Sequence, residues 1–142
     1  MSGGWVVAAA VLLALAFGLY RRLVDGRPRA TRQEARLDAA LLGGELGGTA
    51  TFVQFSSAVC APCRVTSRVL GEVSAVRPGV AHLEIDAEAR LDLAARLGIT
   101  RTPTVLLLDG AGVERTRIVG APRKPDILQA LDGLPARPGG TA

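Results

Sequence analysis

The sequence predicts an α/β protein with a mixed central sheet flanked by helices and preceded by one N-terminal transmembrane helix. Three features point to it. Gly3 to Tyr20 has no charged side chain. From Thr49 onward, β-branched and aromatic runs alternate with segments of helical periodicity, which implies parallel crossovers. The last two apolar runs, 103–109 and 113–119, flank a Gly-containing turn that folds one back on the other. Hydrophobic residues make up 49% of the 142 residues and the mean hydropathy is +0.30, high for a soluble domain of this length, and the N-terminal run supplies the excess.

As a helix, GGWVVAAAVLLALAFGLY would reach roughly 27 Å, close to the hydrocarbon thickness of a bilayer. Trp5 and Tyr20 sit near its ends, where amphipathic rings favour the interface. Residues 1–20 therefore read as an anchor whose partner is the lipid bilayer, contacted through residues 3–20. A cleaved signal peptide is the competing reading, because Ala14-Leu15-Ala16 has a small-x-small pattern. Against it, MSGG carries no basic side chain and the apolar run continues through Phe17, Leu19 and Tyr20.

Residues 21–33 read as a basic juxtamembrane linker, with Pro28 ill-suited to continuing the helix. Across 21–36, Arg21, Arg22, Arg27, Arg29, Arg32 and Arg36 face only Asp25 and Glu34. By the positive-inside tendency the N-terminus lies outside and everything after the arginines lies in the cytoplasm. The total formal charge is +4, so residues 37–142 are neutral. The isoelectric point near 10.0 thus belongs largely to the juxtamembrane strip. Attraction to anionic headgroups accounts for such a strip, and no nucleic-acid partner is expected.

The domain is expected over 34–134. Glu34 to Leu46 has Leu37, Ala40 and Leu41 at helical spacing, weakened by Gly43-Gly44, and a short first strand is an alternative there. Thr49 to Ser56 (TATFVQFS) reads as a strand. Val65, Val69, Val73 and Val76 mark a helix that reaches Pro78. Val80 to Asp86 is the next strand, and Glu88 to Leu97 a helix closed by Gly98. Pro103 to Asp109 (PTVLLLD) is apolar enough for a strand covered on both faces, and Val113 to Val119 is its hairpin partner. Ile127, Leu128 and Leu131 share a face of a closing helix over Lys124 to Leu134. Residues 135–142, rich in Pro and Gly, read as a disordered tail.

The two cysteines of the chain lie in SSAVCAPCR, as Cys60 and Cys63. A structural zinc site needs four ligands, and His82 is the only histidine, so no metal is expected. A disulfide across so short a loop constrains almost no chain entropy, and a cytoplasmic compartment keeps thiols reduced, so a staple explains the pair poorly. Redox chemistry explains it better. If Pro62 opens a helix, Cys60 lies at its N-terminus, where free N–H groups and the macrodipole stabilise a thiolate. Cys63, one turn on, is placed to resolve a mixed disulfide.

From the strand at Thr49, through Cys60-Ala61-Pro62-Cys63-Arg64, Val80 to Asp86, Leu97-Gly98-Ile99-Thr100-Arg101-Thr102-Pro103-Thr104 and Ile118-Val119-Gly120-Ala121, the chain resembles a thioredoxin domain. About 85 residues are covered, and the N-terminal helix lies outside the match. The resemblance implies a thioredoxin-like fold, a cis Thr102-Pro103 peptide facing the cysteines, and a substrate-binding rim of Val59, Ala61, Pro62, Thr102, Pro103 and Gly120. It also implies that the backbone at Thr102 pairs with an extended substrate.

The chain departs from the family at three places. Gln54 stands where thioredoxins usually have a buried aspartate that relays protons to the resolving thiol, and it cannot titrate. His82 stands where a lysine is often found. Val59 and Ser56 replace aromatic residues, so the apolar docking patch is smaller. Gln54 and His82 are therefore the candidate proton-relay positions, with water as the other carrier. Alternation in Val80 to Asp86 sets His82 on the face opposite Leu83 and Ile85.

The expected function is a membrane-tethered thiol-disulfide oxidoreductase, monomeric and without an organic cofactor. It exchanges with protein thiols and disulfides and is recharged by a reductase. Two alternatives stand beside it: the same chemistry with the domain outside the membrane, and a non-catalytic thioredoxin-like module that binds a membrane partner.

Overall fold

The structure, a computed structural model, describes residues 3–30 and 36–135. The residues of the expected tail beyond Pro135 lie outside this range. The first helix, α1, spans Gly3–Val24. It runs past Tyr20 and takes Arg21 and Arg22 into its last turn, where cations complement the negative end of the macrodipole. Its apolar stretch is exposed along its whole length. It is long and apolar enough to cross a membrane, a property that anchors and signal sequences share.

The remaining elements are β1 (Pro28–Ala30), α2 (Ala39–Leu42), β2 (Ala50–Ser56), α3 (Ala61–Val76), β3 (Val80–Asp86), α4 (Leu91–Arg96), β4 (Thr104–Asp109), β5 (Glu114–Val119) and α5 (Lys124–Asp132). The strands form one five-stranded mixed sheet in the order β1-β5-β4-β2-β3. Only β2 and β3 run parallel, with Phe52 opposite His82 and Gln54 opposite Glu84. The β2–β4, β4–β5 and β1–β5 pairs are antiparallel.

The segment read as a linker thus contains an edge strand. Three residues are too few for a periodicity signal, and Pro28 sits at the first strand position, where proline is tolerated. The helix expected over 34–46 contracts to the four residues of α2 within the described part. Asp38 caps it, accepting the Leu41 N–H at 2.7 Å, and Gly43 ends it in the left-handed region at φ 74°. The helix expected from Glu88 begins at Leu91, because the Asp86 side chain accepts the Glu88 and Ala89 N–H groups and holds a turn there.

The sheet buries both faces. On one, Phe52, Val105, Leu107 and Ile118 pack with Leu70 and Val73 of α3 and with Ile127 and Leu131 of α5. On the other, Val53, Phe55, Ile85, Leu106 and Leu108 pack with Leu37, Leu42 and Leu93. Leu106, Leu107 and Leu108 are all fully buried, as expected of a strand covered on both sides.

The connection between α1 and the sheet is short and fixed. The Gly26 N–H donates to the Val119 carbonyl at 2.8 Å, and Asp25 takes both arms of the Arg101 guanidinium at 3.0 and 3.2 Å. Gly26 lies at φ 80°, and a Cβ there would run into the Ala121 carbonyl oxygen.

Candidate active site

At the end of β2 the chain leaves the sheet and turns through Ser57, Ala58 and Val59. Cys60 is the N-cap of α3, with extended backbone (φ −124°, ψ 94°), and its Sγ accepts the Cys63 N–H at 3.2 Å. Pro62 falls in the first turn, where its missing N–H leaves no helical bond unmade. Cys60 and Cys63 are joined in a disulfide with their Cα atoms 5.2 Å apart. The two halves are unequally exposed: Cys63 is 2% accessible, whereas Cys60 is half-buried between Val59, 97% accessible, and the exposed Ala61 and Pro62.

Thr102-Pro103 is a cis peptide, as the resemblance implied. Its loop is tied to the cysteine loop by the Ser57 and Thr102 hydroxyls, 3.2 Å apart, and to the end of β5 by the Gly120 N–H, which donates to the Pro103 carbonyl at 2.8 Å. Pro103 and Gly120 are buried and Thr102 is half-buried. Gly120 adopts φ 93°, and a Cβ there would press on Asp25 at 3.1 Å, so this corner also seats the α1 connection. Among the described residues no hydrogen bond uses the Thr102 backbone N–H or C=O, the groups an extended peptide pairs with.

Beneath the cysteines lies a polar network. Gln54, fully buried, donates through Nε2 to the Cys63 carbonyl at 2.9 Å and to the Ser56 hydroxyl at 2.8 Å. A carbonyl oxygen only accepts, so this bond fixes the orientation of the amide and leaves its Oε1 facing His82 Nε2 at 3.1 Å. His82 therefore carries its proton on Nε2 when neutral, as donor to Gln54. Burial lowers its pKa below the ordinary 6.5, with the nearby Glu84 carboxylate opposing in part. The Ser56 hydroxyl in turn donates a hydrogen bond to Glu84 Oε1 at 2.7 Å, and the Ser67 hydroxyl donates to Oε2 at 2.9 Å.

His82 thus lies on the expected face of β3, and among the described residues its hydrogen bonding reaches the cysteine segment through Gln54. Sequence reasoning overlooked Glu84, the carboxylate of this network. The signal for it was its position two residues after His82, on the same face of one strand.

A disulfide opening a helix, in a loop tied to that of a cis X-Pro peptide, points to dithiol-disulfide exchange. The thioredoxin family model matches residues 45–133. The chain belongs to the thioredoxin family. Its thioredoxin domain is accordingly that of a thiol-disulfide oxidoreductase, with the Cys60–Cys63 disulfide as its redox centre. An H-type thioredoxin of Oryza sativa subsp. indica is 28% identical over 107 residues, spanning 75% of this chain and 86% of that one. The thioredoxin of Mycolicibacterium smegmatis is 35% identical over 83 residues, 56% of this chain and 72% of the relative. Thioredoxin NaTrxh from Nicotiana alata superposes with a TM-score of 0.51 at 29% identity, covering 58% of this chain and 70% of that one. The oxidised mitochondrial thioredoxin 3 of Saccharomyces cerevisiae, 21% identical, shares the fold with a TM-score of 0.54 over 61% of this chain and 80% of that one. Thioredoxins act on protein disulfides and are recharged by reductases.

Proposed function

We propose that this thioredoxin is held at the membrane by α1, with its N-terminus outside and the redox domain on the cytoplasmic side, and that it reduces the disulfides of proteins there. The single observation carrying the redox part is the half-buried Cys60 of the disulfide at the start of α3, with the Thr102-Pro103 loop tied to its segment through the Ser57 and Thr102 hydroxyls. The apolar length of α1 and the arginines that follow it support the tether and its orientation.

In the reduced protein the Cys60 sulfur is the nucleophile. The Cys63 N–H that reaches Sγ and the positive end of the α3 dipole favour its thiolate. The thiolate attacks one sulfur of a substrate disulfide, the substrate S–S bond breaks, and the departing sulfur leaves as a thiolate that takes a proton. Cys63 loses its proton and attacks Cys60 Sγ, releasing the second substrate thiol. The substrate has gained two electrons and the protein holds the Cys60–Cys63 disulfide, which an external reductase restores to the dithiol. Val59, Ala61 and Pro62 form one side of the substrate rim, and Thr102, Pro103 and Gly120 the other. For the Cys63 proton, Gln54 offers alignment of the segment and water offers a mobile acceptor, while His82, whose Nε2 already donates to Gln54, takes no proton through that nitrogen.

Insulin disulfide reduction by the full chain, with Cys60→Ser as control, tests the chemistry; equal rates for the two proteins would instead identify a binding module. Trapping with Cys63→Ser should leave substrates covalently attached to Cys60. A membrane-impermeant thiol reagent applied to intact cells should leave Cys60 unlabelled, and ready labelling would put the domain on the outer side.

A further inference from the structure

We propose that the arginine-lined cavity between the end of α1 and the Thr102-Pro103 loop is a docking subsite for acidic residues flanking the target cysteine of a protein substrate. This deepens the reading of Cys60 as nucleophile and rests on it. The cavity holds about 530 Å³, a volume typical of ligand sites. Pro62, Thr102 and Pro103 form one of its walls, so its occupant is continuous with a segment lying on the Thr102 backbone next to the sulfurs.

The charge is one-sided. Arg22, Arg27, Arg101 and Arg123 line the cavity against a single acid, Asp25. That acid is taken up by Arg101, and Arg123 is held by Asp126 at 2.8 Å. Arg22 and Arg27 have no carboxylate partner among the described residues. Unpaired guanidiniums at the edge of a low-dielectric wall favour carboxylates, which they bind in a bidentate fork.

The opposite side of Thr102 differs. There a hollow of about 270 Å³ is bounded by Leu91, Ile99 and Glu88, with Arg101 on the border between the two. An extended segment crossing Thr102 therefore meets cations on one side and apolar groups with a carboxylate on the other. Lipid phosphate is the other anion within reach of an α1 terminus. A neighbouring hollow of about 260 Å³ shares Asp25, Arg27 and Arg101 with the cavity but is otherwise lined by residues such as Tyr20, Arg21 and Arg29; it serves lipid better, because none of the residues of the redox loops 57–63 and 102–103 line it, and Arg22 lines only the cavity.

The test uses the full chain in phosphatidylcholine nanodiscs, recharged by a small dithiol, and three mixed-disulfide peptides. One has three aspartates before its cysteine and three leucines after; the second reverses that order; the third replaces the aspartates with serines. The expected result at low ionic strength is a kcat/KM for one acidic peptide about five- to tenfold above the serine peptide, as a few partly exposed ion pairs provide. That ratio should approach one at high salt and in Arg22→Gln/Arg27→Gln. Cys60-dependent turnover at equal rates on all three peptides overturns the proposal, as does a ratio untouched by the double substitution. If the substitution leaves the ratio alone and weakens only binding to phosphatidylglycerol vesicles, the cavity serves lipid and the proposal also falls. Failure of the underlying reading looks different: no peptide is turned over, or Cys60→Ser matches the unaltered protein.

Discussion

The Gln54 side-chain amide donates to the backbone carbonyl of Cys63 at 2.9 Å, so the buried half of the disulfide is tied to the middle of the sheet by a residue that carries no charge at any pH. Gln54→Leu removes this bond and leaves the buried Cys63 carbonyl and the Ser56 hydroxyl short of a donor. The expected cost is about 1–3 kcal/mol, seen as a fall in Tm on the order of 5–15 °C in thermal unfolding of the oxidised protein. A change within about 2 °C would show that the amide contributes no net stability.

His82 gives the folded state a pH dependence of definite sign. Burial lowers its folded pKa below 6.5, so as pH drops through 6.5 the unfolded chain takes up a proton that the folded chain still refuses. Stability contributed by the neutral imidazole is full above 6.5 and declines below it. Denaturant unfolding at pH 7 and pH 5 should register this loss, and His82→Gln should reduce it. The chain has one histidine, so its NMR titration is read directly, with a midpoint below 6.5 expected.

Asp109 organises the turn between β4 and β5. Its carboxylate accepts the Ala111 and Val113 N–H groups at 2.9 and 3.0 Å and pairs with Arg115 Nε at 2.7 Å. Burial pulls its pKa upward, but these bonds together outweigh burial and lower it below 3.8. The stabilisation is therefore complete above pH 3.8 and is lost as pH falls through the lowered value. Asp109→Ala should cost about 1–3 kcal/mol at pH 7 and flatten the acid end of the stability profile, both measured by urea unfolding.

Gly26 joins α1 to the domain. Gly26→Val places a side chain at positive φ and against the Ala121 carbonyl, so the Gly26–Val119 hydrogen bond should open more often. Trypsin cleavage after Arg29, in the edge strand β1, is expected to accelerate about tenfold or more, while cleavage after Arg115 and Arg117 of β5 keeps its rate. Unchanged cleavage after Arg29 would mean that the connection is already open.

Much of this was legible in the chain. The continuous apolar run of β4, the valine spacing of α3 and the Cys60–Cys63 pair before a helix are local patterns, set by period and residue type. The alternation of Val80 to Asp86 also placed His82 on the correct face. The unread parts depend on partners far along the chain. Pro28–Ala30 is a strand only because Thr116–Ile118 lies beside it. Glu84 becomes part of the site only through the β2–β3 register and Ser67 of α3. The basic cavity needs α1, the Thr102 loop and the start of α5 brought to one corner, and no single segment announces that.

Only Asp25, Gly26 and Arg27 separate α1 from β1, a stretch of about 10 Å at full extension, and two of the three are pinned to the domain. A domain on a long leash sweeps a hemisphere; one joined so closely cannot swing outward to find a distant disulfide. With α1 in a bilayer, the height of the sulfurs above the headgroups is set once, at folding. Encounters then depend on lateral diffusion of partners whose own disulfides sit at matching altitude.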